Sequence, residues 1–172
     1  VLAVARPLSL QVHPDPGQAG RGFAAEQASG VPVDAPHRNY KDGRAKPEIL
    51  CAVTEFEALC GFGEAGSGAV LLDSLDVPAL DPGVAALIRA DLRTAVELLL
   101  TWPEPDRAGL VAEVTARSPY DWHAELARRY PADMGVIVAL LMNHVRLAPG
   151  EALFVPPRRP HAASRHSAAT PG

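Results

Sequence analysis

Two polar side chains stand two positions apart near the start of the sequence, inside the stretch "PLSLQVHPD" at residues 7–15. If this stretch is a strand, Gln11 and His13 project from the same face. An amide carbonyl and an imidazole on one face suit a borderline metal ion such as zinc. The alternative is a half-exposed strand end with two solvated side chains, and the spacing alone favours that alternative.

Further candidate groups lie far along the chain. In the motif "KPE", Pro47 keeps Lys46 extended, so Lys46 and Glu48 are predicted to share a face. They are either a surface ion pair or a metal ligand beside an acid–base group. His161 follows "PGEALFVPPRRP" and is predicted at the end of a strand that consecutive prolines close. Its imidazole would then lie at the mouth of a barrel.

Composition and charge narrow the class of protein. With 172 residues, 48% of them hydrophobic, the chain predicts one sizeable core, and its 17 Pro and 14 Gly predict many turns. A net charge of −4 with scattered Lys and Arg argues against a nucleic-acid partner. Cys51 and Cys60, without CxxC spacing, indicate a reducing compartment and a cytoplasmic location. The apolar run at 134–142 is far shorter than the about 20 residues of a membrane span.

Apolar spacing and turn residues predict the main elements. Residues 1–13 are expected to form a buried strand, and residues 18–30 a short helix. Apolar residues at helical spacing predict one helix over 81–102. The run at 134–142 is apolar on nearly every side, so it is either a buried helix or a buried strand. A Pro149-Gly150 turn is expected between the last two strands.

The sequence resembles a known family in three segments, which occur in the family's order. They read "ARPLSLQVHPD", "DAPHRNYKDGRAKPEILCAVTEFEALCGF" and "YPADMGVIVALLMNHVRLAPGEALFVPPRRPHA". Together they are similar to type I mannose-6-phosphate isomerase, a member of the cupin superfamily. The resemblance implies a mainly β, jelly-roll barrel with a helical insertion. In this chain, residues 1–80 are expected to be the first part of the barrel with zinc motifs, and residues 81–132 the helical insertion. Residues 133–163 are expected to return to barrel strands with the third zinc motif, and residues 164–172 to be a disordered tail.

The resemblance also implies an activity and a site. The family interconverts mannose 6-phosphate and fructose 6-phosphate, with one zinc ion per chain. Matched by position, the implied zinc ligands are Gln11, His13, Glu48 and His161. Lys46 would contact substrate and handle charge or a proton, with a solvated lysine as the alternative. Ser9 would touch the sugar phosphate, or bond to backbone. We expect a monomer with no membrane or nucleic-acid partner.

The sequence departs from the family in ways that bear on activity. The family has Asn-His-Lys-Pro-Glu where this chain has Arg44-Ala45-Lys46-Pro47-Glu48, so a methyl group replaces an imidazole. Family members also extend beyond both ends of the matched region, and the pattern changes abruptly after Ala162, as a frameshift or truncation would cause. We therefore expect a fragment of an incomplete barrel with exposed edges and apolar faces, and little or no isomerase activity. The alternative is a non-catalytic cupin-like module that binds metal or a sugar phosphate.

Other polar residues are predicted to be structural or solvated. His37 and His123 fall in turn or helix-surface contexts and are expected to face water. Arg158 and Arg159 precede His161 and could attract a phosphate, but a solvated pair of loop residues is the favoured interpretation.

Overall fold

The computed structural model of the chain describes residues 10–166, which form seven α-helices and five strands. The helices are α1 Pro16–Ala28, α2 Ala65–Ser74, α3 Asp81–Ile88, α4 Leu92–Leu100, α5 Arg107–Arg117, α6 Asp121–Arg129 and α7 Gly135–Ala139. The strands are β1 Glu48–Cys51, β2 Phe56–Phe62, β3 Met142–Leu147, β4 Ala152–Val155 and β5 His161–His166. None of the helices in this part of the chain could cross a membrane.

The chain divides into two compact units. Of the described residues, the first unit combines 10–60 with 146–166, and the second contains 61–145. The first unit holds α1, both strands of a two-stranded sheet and β5, and the second holds all the other helices described.

Helix α1 begins at a capping box. The Asp15 carboxylate accepts the Gln18 backbone N–H at 2.7 Å, and the Gln18 side chain accepts the Asp15 N–H at 3.1 Å. Pro16 takes the first helical position, where no N–H is needed. After the helix ends, Gly30 adopts a φ of 70°, which favours glycine. The helix predicted over residues 18–30 is present, and it begins two residues earlier.

A buried arginine fastens the following loop to α1. The Arg38 side chain donates to the carbonyl of Tyr40 at 2.8 Å, to the Gln27 side chain at 2.9 Å and to the carbonyl of Val31. Only 4% of Arg38 is exposed. The Glu26 carboxylate lies 3.6 Å away and also accepts the Tyr40 N–H at 2.8 Å. These bonds fix the loop that leads from α1 to the "KPE" motif.

Two small sheets contain the strands. Strands β1 and β4 pair antiparallel, with Ile49 opposite Phe154. The other sheet has the order β3–β2–β5, and β2 pairs antiparallel with β5. No sheet among residues 10–166 closes into a barrel, and helices outnumber strands there. The expectation of a mainly β chain is therefore wrong, and the described fold is a mixture of helices and small sheets.

The second unit packs its helices around one apolar core. Fully buried members include Leu72, Leu80, Leu87, Val111, Val114, Ile137 and Val138. The two ends of this unit meet, because the Gly63 N–H donates to the Leu141 carbonyl at 2.9 Å. The Asn143 side chain donates to the Phe62 carbonyl at 3.1 Å close by.

Several predicted element boundaries change in the second unit. Helices begin at Ala65, well before the expected start of the helical part at residue 81. The helix predicted from Asp81 to Trp102 is two helices, because Ala90 takes a φ of 58° and the Asp91 carboxylate caps α4 through the Thr94 N–H at 3.0 Å. Hydrogen bonds from the Thr94 side chain and from its backbone N–H lower the pKa of Asp91.

The start of the described chain also differs from its prediction. Residues 1–13 were expected to form a buried strand, but Leu10, Gln11 and Val12 are exposed. Gln11 makes only an isolated bridge. Residues 1–9 lie outside the described part of the chain. At the other end, β5 continues to His166, three residues past the point where the pattern predicted that regular structure ends.

Candidate metal centre

Backbone pairing brings the first and last candidate residues together within the first unit. The Gln11 N–H donates to the His161 carbonyl, and the His161 N–H donates to the Gln11 carbonyl, both at 2.9 Å. Residues directly opposite in such a bridge project from the same face. His13 lies two positions after Gln11 in the same extended segment, so this bridge also brings His13 near His161.

Glu48 completes this group from strand β1. Its Oε1 lies 3.0 Å from His13 Nε2, and its Oε2 lies 3.0 Å from His161 Nε2. The three ligand atoms of the group lie within 4.8 Å of one another. Exposure falls from 46% for the Glu48 side chain to 24% for His13 and 13% for His161. One carboxylate thus bridges two imidazoles in a partly open site.

One contact in this group points to a metal ion. Within residues 10–166, the buried Nε2 atom of His13 has no hydrogen-bond partner, although Glu48 Oε1 is only 3.0 Å away. Zinc with ligands at about 2.0–2.2 Å in a tetrahedron separates those ligands by roughly 3.3 Å. The two contacts between Glu48 and the histidines, each 3.0 Å, are close to that value, and His nitrogen with carboxylate oxygen is a donor set that zinc accepts. The residues present therefore fit the ion.

Lys46 makes its ion pair with a residue outside this group. Its Nζ atom lies 3.8 Å from the Asp42 carboxylate, and 56% of its side chain is exposed. Asp42 was not among the candidate residues, although its i, i+4 spacing from Lys46 was a usable signal. The remaining predicted residue, Ser9, lies outside the described part of the chain.

The sequence suggested that His161 lies at the end of the strand that became β4, but His161 belongs to β5. Strand β4 ends at Val155, and a turn then leads into β5, whose first residue is His161. On strand β2, Cys60 pairs with His161. Cys60 is buried, and burial raises the pKa of its thiol. Cys51, by contrast, is exposed, so only one of the two cysteines serves as a core residue.

Comparisons with known proteins agree with the motifs. Residues 1–65 match the family model "Phosphomannose isomerase type I, catalytic domain". The chain is 36% identical to mannose-6-phosphate isomerase of Salmonella typhimurium over 177 residues, covering 94% of this chain and 44% of the relative. It is 37% identical to mannose-6-phosphate isomerase of Escherichia coli over 172 residues, with the same coverage. The chain therefore spans less than half the length of these relatives.

A solved structure gives the same result for the fold. The crystal structure of mannose 6-phosphate isomerase from Salmonella typhimurium, bound to its substrate fructose 6-phosphate and to zinc, superposes with a TM-score of 0.84. It is 34% identical, and the match covers 95% of this chain and 44% of that one. Sequence motifs, their order and the fold therefore all show that this chain is similar to part of the type I phosphomannose isomerases.

Proposed function

We propose that the chain carries the zinc site of a mannose-6-phosphate isomerase, an enzyme that interconverts mannose 6-phosphate and fructose 6-phosphate. The observation that carries this proposal is the convergence of His13, Glu48 and His161, from three separate segments, with their ligand atoms within 4.8 Å of one another. The relatives named above, one of them solved with fructose 6-phosphate and zinc, support it.

The chain's own residues would hold the ion with four groups. His13 and His161 would each offer an Nε2 atom, Glu48 a carboxylate oxygen and Gln11 its amide oxygen. When bound, zinc would supply a Lewis acid that polarises a sugar oxygen. Because only one of these four groups is charged, the loaded site would keep a net positive charge. That charge favours an anionic substrate such as a sugar phosphate.

Lys46 is our candidate for the group that contacts substrate. Its exposed ammonium could donate to sugar oxygens that become negative as a proton moves between C1 and C2. Its pairing with Asp42 is exposed and therefore weak, so a bound substrate could replace it. Ala45 beside it has no group that can carry a proton. We therefore expect slow turnover from this chain at best. Ser9 stays a proposed substrate contact.

The fold and setting follow from the same proposal. We propose that the two small sheets are parts of a cupin-type barrel and that helices α2–α7 are the helical insertion of the family. The sheet pairings of β1 with β4 and of β2 with β5 support this interpretation, since each is antiparallel as in a jelly roll. A monomeric, cytoplasmic protein is our proposal for its setting.

Zinc measurement on purified protein tests the proposal. We expect about one zinc per chain in the native protein and in His37→Ala, because His37 is exposed and outside the group. His13→Ala and His161→Ala each remove a ligand and should lose zinc at concentrations that saturate the native chain. Circular dichroism would check that each variant is folded. Equal zinc content in all four proteins would contradict the proposed site.

A coupled assay for fructose 6-phosphate, started with mannose 6-phosphate, tests the reaction. Slow turnover that needs zinc and disappears in His161→Ala supports the isomerase. Zinc binding with no turnover would instead favour the metal-binding module.

A further inference from the structure

The turn before β5 touches both histidines of the candidate site. At residues 156–160, the Arg158 N–H donates to the His13 carbonyl at 2.7 Å. The next carbonyl, that of Arg159, lies 3.1 Å from Nδ1 of His161. We propose that this turn, which we call the 156–160 turn, positions the two imidazoles for metal binding, with Arg158 as its positioning residue. The inference rests on the proposed zinc site and adds residues that hold its ligands.

The contact to Arg159 determines which nitrogen His161 presents. A carbonyl oxygen only accepts, so the Nδ1 atom must carry the hydrogen in this contact. The Nε2 atom faces the Glu48 carboxylate at 3.0 Å, and this group also only accepts, so a metal ion held between the two atoms would take the place of a hydrogen on Nε2. A metal-bound histidine commonly donates its other N–H to a carbonyl in this way, which fixes the ring orientation. Because the turn occupies Nδ1, Nε2 is the ring nitrogen left to bind a metal ion.

The backbone of Arg158 has an uncommon conformation, which directs its N–H to the carbonyl of His13. Its φ is 65°, in the left-handed region that residues other than glycine rarely adopt. Such conformations persist where their surroundings hold them and occur often at functional sites. The turn is closed by the Arg159 N–H, which donates to the Pro156 carbonyl at 3.3 Å. This arrangement aims the Arg158 N–H at the residue that carries the first imidazole.

The side chain of Arg158 reaches the same segment. Its guanidinium lies 3.6 Å from the carboxylate of Asp15, two residues after His13. Asp15 also caps helix α1 through Gln18. Because 67% of the Arg158 side chain is exposed, this ion pair contributes little by itself. The backbone hydrogen bond is thus the contact that matters, and the two effects can be separated by substitution.

Two substitutions of Arg158 separate the effect of its ion pair from that of its backbone hydrogen bond. Arg158→Gly keeps the N–H and suits a φ of 65°, so it loses only the ion pair. We expect its zinc affinity, measured by competition with a chelator, to stay within about threefold of native. Arg158→Pro removes the N–H and locks φ near −65°. We expect a loss of about tenfold to a hundredfold, the usual effect of removing a group that orients a metal ligand. Native affinity in a folded Arg158→Pro protein would overturn the proposal.

Nitrogen spectroscopy tests the proposal in the native chain, where folding is not in question. In long-range ¹H–¹⁵N spectra, with His161→Gln used to assign the signals, we expect His161 to keep its hydrogen on Nδ1 and to bind added Zn²⁺ through Nε2. Coordination through Nδ1, or a hydrogen on Nε2 alone in the metal-free chain, would overturn the positioning role. If the native chain binds no Zn²⁺, the zinc site fails, while the metal-free spectrum still decides the tautomer.

Discussion

At the scale of single residues, burial decides the hydrogen bonding and the pKa of His123. It has no exposed surface, and its Nε2 atom lies 3.0 Å from the Val136 carbonyl. Nε2 therefore carries the hydrogen, and Nδ1 is buried with no partner in the described part of the chain. The sequence prediction of a solvated histidine on a helix surface is wrong. Burial lowers the pKa of His123, because a charged imidazolium would lose its hydration in this core.

This burial predicts a pH dependence of stability. Above the ordinary pKa of 6.5, His123 is neutral in both the folded and the unfolded chain and its contribution is complete. Below 6.5 the unfolded chain takes up a proton that the folded chain refuses, so stability falls by up to about 1.4 kcal/mol for each pH unit until the folded pKa is reached. Urea unfolding followed by tryptophan fluorescence at about pH 7.5 and about pH 5.5, on either side of the ordinary value, measures the loss. Both tryptophans, Trp102 and Trp122, lie in the second unit with His123.

Two variants check the assignment of this pH effect to His123. His123→Gln keeps a donor for the Val136 carbonyl but cannot titrate, and it should flatten the dependence between the two pH values. His37→Gln changes an exposed histidine and should leave the dependence as it is in the native chain. An equal loss in all three proteins would show that another group is responsible.

At the scale of elements, helix α1 requires glycine at one of two nearby positions, Gly22, but not at the other, Gly20. A Cβ atom on Gly22 would meet the ring of Tyr40 at 2.5 Å, whereas a Cβ on Gly20 would meet nothing within 4 Å. Tyr40 in turn belongs to the loop that Arg38 fastens to the helix. The close approach of ring and helix backbone therefore requires glycine at position 22 and not at position 20.

This difference predicts opposite effects from one chemical change. Gly20→Ala should stabilise the chain by about 0.5–1 kcal/mol, since alanine favours a helix over glycine. Gly22→Ala should destabilise it by about 1–3 kcal/mol, because the tyrosine ring must move. Thermal unfolding followed by circular dichroism measures both. Stabilisation by both substitutions would mean that Tyr40 does not pack on α1.

Local sequence signals predicted some elements and not others. The near-helical spacing of residues within α1 and the Pro149-Gly150 turn each act over a few residues, so their elements were predictable. The apolar run 134–142 has no period that separates helix from strand, and it contains α7 and the start of β3. The break at Ala90 was missed because helix periodicity continues across it and the deciding cap comes from Asp91.

The candidate site was predictable by resemblance rather than by spacing. His13 and Glu48 are close only because β1 and the bridge at Gln11 lie together, and no local pattern encodes that distance. The contacts of Arg158 and Arg159 with the histidines are made by backbone atoms. Because almost any residue type can make a backbone contact, the residue types alone could not connect these arginines with the site.

At the scale of the whole molecule, an apolar sheet surface meets the solvent. Ile49 and Phe154 are directly opposite on β1 and β4, and they are 67% and 60% exposed. Cys51 and Ala152 form the next pair on that face and are also exposed. Neither β1 nor β4 pairs with a further strand within residues 10–166. Apolar faces and open strand edges of this kind promote self-association.

Reducing this apolar surface should improve solubility. The double variant Ile49→Thr, Phe154→Thr keeps residues that suit strands but removes most of the exposed apolar area. We expect less concentration-dependent light scattering and weaker binding of the dye ANS than in the native chain. Ile88→Thr is the matched control, because Ile88 is 72% exposed but lies on a helix. An equal improvement from the control would show that the sheet face has no special role.

The hydrogen bond between Gly63 and Leu141 has a consequence for how such a chain could evolve. Gly63 and Leu141 lie near the two ends of the second unit and are adjacent in space. A short hairpin could therefore replace the helices between them, which form a cassette. Glu48 and His161 are 113 residues apart in sequence. Genetic change could thus lengthen, shorten or exchange the helical cassette between them while the imidazole and carboxylate groups keep their mutual distances.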